Sequence, residues 1–338
     1  MADLRQVFNK DVTLSYRVAQ PERKTAFWTS GAFVSDSRIR ALLQTGLREF
    51  AVPTIGNIDT KAEPKYGNTI LTDVAMPRQI GGSKSRGRAA YLNDAFVESD
   101  LERYLTGQSP LQMVAGMIDN YWIAQAENRA IATVAGLYNY AKKNKANDFI
   151  LDISKATADA TSAYSIDAFI DAEAMLPKAY RGQGVMIVHP KKAADMRKQQ
   201  LLEKIAPSND LPVIETYNGR AVIETTDLTS IGTGANAKYI TYLLGQGAFV
   251  ADSVAGNDDM ELERTASTGN GQGHTILHTR RTMLIHPQNF SFIATDAQLT
   301  GGTRNEALSA SWTDLQNADY WELAGTANDA PVRFLITN

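Results

Sequence analysis

Apolar positions recur at helical spacing through residues 109–144, which gives the clearest element in the sequence. Ser109 is a good helix cap, Pro110 suits the first helical position, and lysines gather at the far end, where the helix dipole favours cations. A rise of about 1.5 Å per residue gives a rod about 50 Å long. Few small globular domains need so long a helix. The apolar positions are Leu111, Val114, Ala115, Ile118, Tyr121, Trp122, Ile131, Val134, Ala135 and Tyr138.

Helical and extended patterns alternate between residues 150 and 255. Gly184–His189 is a continuous apolar run before a proline, which is typical of a buried strand. Asn218-Gly219 lies between two apolar runs and predicts a hairpin turn. The pattern therefore predicts an α+β domain. Its helices are expected at Ser165–Lys178 and from Pro190 to Lys204, and its other strands at Pro212–Tyr217, Arg220–Glu224, Tyr239–Leu244 and Ala248–Ala251.

Residues 51–94 contain three prolines and five glycines and few apolar residues. This composition predicts two extended strands joined at a Gly81-Gly82 turn. Such a hairpin has too little apolar content to form a core and needs another surface to lie on. It is either a solvated loop or a projecting arm that docks on another subunit. Its positive charges, with no acid between them, are Arg78, Lys84, Arg86 and Arg88.

Residues 1–50 mix charged and apolar positions without a long period, which indicates an arm rather than a domain. One short helix is expected at Ser37–Thr45, because Asp36 or Ser37 could cap it and Gly46 could end it. An ordinary N-terminal subdomain is the alternative interpretation.

Two long strands are predicted in residues 256–295, around a loop at Thr268–Gly273. The final strand is expected at Pro331–Ile336, so the chain ends inside the fold. Residues 252–263 carry five acids and no base, at a spacing that does not match a calcium loop. They form either a solvated edge or a surface complementary to the basic hairpin of another copy. The acids are Asp252, Asp258, Asp259, Glu261 and Glu263.

Composition narrows the possible functions. The 338 residues, 43% of them hydrophobic, can bury a large core, and the net charge of −3 requires no nucleic-acid partner. Because cysteine is absent, disulfides, thiolate metal sites and cysteine nucleophiles are excluded, which fits a reducing compartment. No apolar run approaches the length of a membrane span, and we expect no membrane partner.

The sequence shows no convincing catalytic motif, and we expect neither an enzyme nor a cofactor. His189 and His286 each precede a proline at a strand end, where a structural role is the expectation. His274 and His278 lie in extended sequence, where a spacing of four places them about 13 Å apart, too far to share a metal. The glycine-rich stretches lack the helix that a phosphate cradle requires.

Four stretches of the chain together indicate a family: Gly184–Lys192, Tyr242–Phe249, His278–Phe290 and the tail from Leu308 through Trp321 to Asn338. In this order they resemble the major capsid protein of tailed bacteriophages, with the Hong Kong 97-type fold. Asn289 stands where glycine is common in that family, and Ser311-Trp312 departs from its usual Ser-Pro. Each motif alone is weak, but together they span most of the chain in the right order.

The resemblance implies a division of the chain along the lines of that fold. The expected parts are an N-terminal arm at 1–50, an extended β-hairpin loop at 51–96, a spine helix and the start of the peripheral domain at 97–149, a mainly axial domain at 150–255, the long peripheral strands at 256–305, and a C-terminal segment closing on the axial domain at 306–338.

The resemblance also implies partners and a place of assembly. Subunits would form hexamers and pentamers of an icosahedral shell around double-stranded DNA, bound without sequence specificity. The hairpin would lie over a neighbouring copy, with Arg78, Lys84, Arg86 and Arg88 facing Asp258, Asp259, Glu261 and Glu263. Expected partners are a portal protein, a separate scaffolding protein and, in some relatives, a decoration or cement protein. We expect no N-terminal processing, assembly in the host bacterial cytoplasm, and residence in the virion.

Two other functions stay open from the sequence. An encapsulin-type compartment shares this fold but would enclose a cargo enzyme instead of DNA. A soluble α/β enzyme would use Asp258, Asp259 or His189, and it would be a small oligomer rather than a shell.

Overall fold

The computed structural model describes residues 31–55, 63–70, 72–74, 77–78, 81–106, 109–199, 202–205, 214–226, 228, 230–255, 259–299 and 309–338. Most of the predicted N-terminal arm, and Asp258, lie outside these described residues.

The described residues contain helices and strands in both halves of the chain, as the α+β prediction requires. The α-helices are α1 (Ser37–Gln44), α2 (Asp100–Thr106), α3 (Pro110–Ala115), α4 (Ile118–Asn144), α5 (Ala146–Phe149), α6 (Ile166–Ala174), α7 (Pro190–Lys198) and α8 (Trp312–Gln316).

The strands pair into two large sheets and two small ones. They are β1 (Phe33–Val34), β2 (Glu49–Ile55), β3 (Gly82–Arg88), β4 (Ala90–Ser99), β5 (Ile150–Asp152), β6 (Val185–Val188), β7 (Glu203–Ile205), β8 (Ile214–Tyr217), β9 (Arg220–Glu224), β10 (Tyr239–Leu244), β11 (Phe249–Val254), β12 (Met260–Thr265), β13 (His274–Pro287), β14 (Phe290–Phe292), β15 (Trp321–Leu323) and β16 (Val332–Thr337).

The first large sheet is built around β13, which is 14 residues long. On one side β13 pairs with β12 and then with β11, and on the other side it pairs with β4 along ten residues. β1 adds in parallel to β11. The loop predicted at Thr268–Gly273 separates β12 from β13, as expected, but β12 is short rather than long.

The long helix covers one face of this sheet. Trp122 of α4 donates its indole N–H to Thr279 Oγ1 of β13 at 2.8 Å, and Ile118 and Ala126 pack against Leu277 and Met283. The predicted single rod over 109–144 is wrong at its start, because the chain turns at Gly116-Met117 and divides it into α3 and α4. Glycine is a poor helix former, which explains where the break falls. α4 itself has 27 residues and is about 40 Å long.

The carboxylate of Glu98, at the end of β4, holds the start of α3. It accepts hydrogen bonds from the backbone N–H of Leu111 at 3.0 Å and from the Ser109 hydroxyl at 2.8 Å. An acceptor there satisfies a free N–H of the first helical turn and complements the helix dipole. Glu98 therefore links the end of β4 to the start of α3.

The second large sheet has seven strands in the order β5-β16-β10-β6-β9-β8-β7. α6 and α7 cover one face through Phe169, Leu176 and Met196, which are fully buried. The C-terminal half of α4 covers the other face, where Tyr138 packs edge-on against Phe334. The strands predicted at Gly184–His189, Arg220–Glu224 and Tyr239–Leu244 are confirmed as β6, β9 and β10, and the described part of Pro212–Tyr217 forms β8. The strand predicted at Ala248–Ala251 forms as β11 but lies in the first large sheet, not in this one. The second helix ends at Lys198, so its predicted extension to Lys204 is wrong, and β7 begins at Glu203.

The predicted hairpin consists of β2 and β3, paired from Glu49 opposite Arg88 to Ile55 opposite Gly82. The predicted turn at Gly81-Gly82 is therefore wrong, because Gly82 already belongs to the returning strand. The described residues between the two strands form no further strand. Residues 90–96 pair with β13 as part of β4, and the division of the chain into domains remains a prediction.

The C-terminal segment closes against α4 at a glycine. A Cβ at Gly136 would lie 1.8 Å from the Leu315 carbonyl oxygen and 2.7 Å from Trp321 Nε1. Nearby, the buried Arg129 donates from Nη1 to the Ala310 carbonyl at 2.8 Å. The close approach of this segment to α4 depends on glycine at position 136, which has no Cβ. The final strand predicted at Pro331–Ile336 is confirmed as β16, which pairs on both edges within the seven-stranded sheet.

We predict that Gly136→Ala lowers the free energy of unfolding by about 3 kcal/mol, because backbone and indole atoms must move to admit the methyl group. Chemical denaturation of the unassembled chain measures this change. Gly67→Ala is the matched control, since its Cβ would meet no atom within 4 Å, and its effect should stay within about 0.5 kcal/mol. Equal effects of the two substitutions would contradict the packing described here.

Candidate assembly interface

The base of the hairpin is bound to its own chain through Ser85. This buried hydroxyl donates to the Phe290 carbonyl at 2.5 Å and lies 2.6 Å from His286 Nε2. A carbonyl oxygen can only accept, so we infer that His286 Nε2 carries a proton and donates to Ser85. One hydroxyl thus joins β3 to the end of β13 and to β14.

Ser291 of β14 extends this junction along β3. Its hydroxyl accepts from the Arg86 backbone N–H and donates to the Lys84 carbonyl, both at 3.1 Å. The ring of Phe50 on β2 packs edge-on against His286, with 5.1 Å between centroids. A Cβ at Gly87 would overlap the Phe50 ring. The expectation that all of residues 51–94 depends on another surface is therefore wrong at the base of the hairpin.

Arg88 also lies in this base. Its guanidinium is buried and donates from Nη2 to Glu49 at 2.7 Å and to Asp296, which also pairs with Arg48. Burial lowers the pKa of Arg88. Nε and Nη1 are buried and have no hydrogen-bond partner among the described residues. Of the four predicted contact cations, Arg88 is thus the one directed into its own chain.

The other three predicted cations are exposed. Lys84 and Arg86 are exposed on β3, and the ion pairs described for the chain include neither of them. Arg78 lies farther out and donates to the Glu63 carbonyl at 2.5 Å. The structure therefore places three of the four on a surface that another molecule can reach.

The outer end of the hairpin, residues 63–74, displays apolar side chains to solvent. Tyr66, Ile70 and Val74 are 77%, 57% and 84% exposed. The turn that carries Ile70 is fixed by Asn68, whose amide donates to Asp73 Oδ2 at 2.6 Å and whose Oδ1 accepts from the Ile70 N–H at 2.9 Å. The hydrogen bonds described at this end are made within the hairpin, whereas those at the base reach β13 and β14.

Of the predicted contact acids, Glu261 and Glu263 lie on β12 and Asp259 directly precedes it, while Asp258 lies outside the described residues. Glu263 lies 2.9 Å from His278 and Glu261 lies 2.8 Å from Arg280, both across the β12–β13 pair. Arg280 holds the pKa of Glu261 below its usual range. Both acids are exposed, and the Asp259 carbonyl accepts from the Arg280 backbone N–H. The sequence did not predict these partners within the chain.

The residues considered for catalysis do not converge. His189 caps α7 by accepting from the Lys191 N–H at 3.2 Å and packs on Tyr239, as its predicted structural role requires. Asp259 directly precedes β12 of the other large sheet, and Asp258 lies outside the described residues. Within the described ranges, no group of three His, Cys, Asp or Glu residues could hold a metal ion. None of the helices described combines the length and apolar composition of a bilayer span.

Sequence and structure comparisons give one consistent result. No family model matches the chain. In sequence it is similar to the major capsid protein of Bacillus phage SPP1, with 24% identity over 304 residues, 88% of this chain and 89% of that protein.

In fold it is similar to the cyanophage Pam1 capsid, with TM-score 0.58 and 8% identity over 100% of this chain and 99% of that one. The head of Helicobacter pylori bacteriophage KHP40 gives TM-score 0.52 and 10% identity over 98% and 95% of the two chains. The fold expected from the resemblance is confirmed.

We predict that acid weakens the hairpin base through His286. Burial lowers the pKa of this histidine from 6.5 to about 4, so between these values the unfolded chain binds a proton that the folded chain does not. Stability therefore falls as pH falls through this window, by up to about 3 kcal/mol. Denaturant unfolding of the wild type and of His286→Gln at pH 7 and pH 4.5 measures the difference. Parallel losses in the two proteins would contradict the role given to His286.

Proposed function

Because the chain is a tailed-phage major capsid protein with the Hong Kong 97 fold, we propose that its copies complete one another's burial in an icosahedral shell around double-stranded DNA. It is a structural protein and not an enzyme. The observation that carries the proposal is the hairpin, whose base is bound to its own chain through Ser85 while Tyr66, Ile70 and Val74 farther out are exposed to solvent. Hexamers and pentamers of the chain would form this shell.

Within a hexamer or pentamer, the hairpin of one copy lies over the five-stranded sheet around β13 of the next copy. Lys84, Arg86 and Arg78 face the acidic edge that includes Glu261 and Glu263. Such pairing sets register and partner choice more than affinity. Asp258, Asp259 and Arg88 remain members of the proposed contact, with Arg88 acting through the base of the hairpin.

The remaining partners follow from the same proposal. Shells assemble in the bacterial cytoplasm with a separate scaffolding protein and a portal protein, and a decoration protein adds to the outside in phages that have one. A shell that first forms empty then expands as DNA enters. The net charge of −3 suits this role, because a lining that gripped phosphates tightly would hinder the movement of DNA.

An encapsulin-type compartment is the second candidate, since it would use the same fold. The sequence relative favours the phage function, because it is a phage coat protein matched over 88% of this chain. The contents of purified particles separate the two: nuclease-resistant DNA supports the capsid, and a protein cargo without DNA supports the compartment.

The size of the purified full-length chain tests the proposal. We expect capsomers and, as concentration rises, closed or irregular shells in the megadalton range, seen by analytical ultracentrifugation and negative-stain electron microscopy. Without a scaffolding protein the shells vary in size, but assembly still proceeds. A chain that stayed a monomer or small oligomer at every concentration would overturn the proposal.

We predict that Lys84→Glu with Arg86→Glu raises the concentration required for assembly by about tenfold or more, because like charges then meet across the interface. Adding Glu261→Lys and Glu263→Lys should restore assembly, which light scattering measures. Lys142→Glu with Lys145→Glu is the control, since these exposed lysines on α4 and just after it carry the same charge change elsewhere. Failure of the four-residue variant to recover, while the control assembles normally, would place the hairpin cations against some other surface.

A further inference from the structure

The dipeptide Asn-Gly occurs twice in the chain, at Asn218-Gly219 and at Asn270-Gly271. All four residues have positive φ, 49° and 77° in the first pair and 57° and 93° in the second. An asparagine before glycine is prone to spontaneous loss of its side-chain amide, because glycine has no Cβ to hinder attack by its own backbone nitrogen. The two pairs share their sequence and their backbone region, so a difference in reactivity in the folded chain has to come from their surroundings.

The surroundings of Asn218 hold its side chain in place. Its Nδ2 donates to Glu173 Oε2 at 2.9 Å, and Glu173 Oε1 in turn accepts from Arg220 Nε at 3.0 Å. A Cβ on Gly219 would lie 2.8 Å from the Gly182 carbonyl oxygen, so the turn is packed against a neighbouring loop. Rotation of the asparagine side chain toward the next backbone nitrogen would break a hydrogen bond to a buried carboxylate, which is costly.

The surroundings of Asn270 place no such constraint on it. The pair Asn270-Gly271 lies in the loop between β12 and β13, and both residues are exposed. None of the hydrogen bonds found among the described residues involves the Asn270 side-chain amide. A Cβ on Gly271 would meet no atom within 4 Å, so this part of the loop borders open space. The Asn270 side chain can therefore rotate without breaking a contact.

The hydrogen bonds within this loop also spare the nitrogen that would attack. The Gly273 N–H donates to the Thr268 carbonyl at 2.9 Å, and the Gln272 N–H donates to the Gly269 carbonyl at 3.4 Å. No hydrogen bond from the Gly271 N–H is found among the described residues. Glycines on both sides of the asparagine let the backbone there change conformation at little steric cost. The loop is therefore closed at its root and adaptable at the Asn-Gly pair.

We propose that Asn270 is a site of spontaneous deamidation in the folded chain and that Asn218 is protected from it. The backbone nitrogen of Gly271 attacks Cγ of Asn270, an N–C bond forms and closes a cyclic imide, and Nδ2 leaves as ammonia with the proton of the attacking nitrogen. Water then opens the ring at either carbonyl and leaves an aspartyl or an isoaspartyl residue. Water is the only co-reactant, and no group is oxidised or reduced.

Deamidation changes the charge and the length of this loop. Residues 266–273 contain no charged side chain, so the reaction adds a carboxylate to a neutral loop. The isoaspartyl product also adds the Cβ of the residue to the backbone path, which lengthens the loop. The end of the five-stranded sheet at which β12 and β13 are joined therefore becomes more acidic as the protein ages. This inference concerns the chemistry of the single chain and does not rest on the proposed shell.

Incubation of the purified full-length chain at mildly alkaline pH, below the concentration at which particles form, tests the proposal. Mass spectrometry of peptides follows both positions, since deamidation adds about 1 Da. We expect position 270 to react at least about tenfold faster than position 218, the ratio that a hydrogen bond to a charged group at Asn218 produces. In guanidinium chloride, where the chain is unfolded, the two rates should agree within about twofold, because the surroundings no longer differ.

The folded chain gives the deciding result. Equal rates at the two positions, a faster reaction at position 218, or no reaction at position 270 while the unfolded chain reacts would each overturn the proposal. Asn270→Gln is the control variant, because the longer side chain closes a cyclic imide far more slowly. It should remove the isoaspartyl groups that a protein isoaspartyl methyltransferase labels in the wild type. A label that persisted in this variant would place the reaction elsewhere and would also overturn the proposal.

Discussion

Strand β13 is the constraint on which the five-stranded sheet and the elements packed against it depend. It pairs along both edges, with β4 on one side and with β12 and β11 on the other. Met283 of β13 packs in one cluster with Trp122 of α4. His286, near the end of β13, is hydrogen-bonded to Ser85 of the hairpin. A strand paired on both edges cannot shift by one residue without turning its apolar face outward. The register of β13 therefore fixes where α4 lies and where the hairpin leaves the rest of the chain.

The hairpin combines a rigid base with an exposed end. Ser85, Ser291 and Phe50 bind the base to β13 and β14, so the direction of the two strands is set before any other copy is met. The hydrogen bonds described at the outer end join residues of the hairpin to one another, and Tyr66, Ile70 and Val74 there are exposed to solvent. A fixed direction lowers the entropy lost on docking, and an exposed apolar end supplies the driving force. This division of roles suits an arm that must reach the same place on every neighbour.

The sequence predicted those features that depend on local pattern. Apolar periodicity located α4 and most strands of the seven-stranded sheet, and Asn218-Gly219 located its hairpin turn. It failed where one residue or a distant contact decides the structure. Gly116 divides the long helix, and Gly82 joins a strand because Ile55 lies opposite it. The partners of Arg88, Glu49 and Asp296, lie 39 and 208 residues away in sequence, so charge counting could not find them. Glu261 and Glu263 pair across the β12–β13 loop, and the exact register of that pair, which sequence alone does not give, decides their partners.

The pairing of these acids within their own chain changes how charge contributes to assembly. Arg280 and His278 already orient Glu261 and Glu263 and partly neutralise them, so an incoming lysine or arginine gains less than it would from an unpaired acid. Exposed ion pairs are also screened by salt, which limits their contribution further. Charge can then set the register of the hairpin, but it supplies little of the free energy that holds a shell together. That free energy has to come from apolar burial, and the side chains that can provide it on the hairpin are those displayed at its outer end.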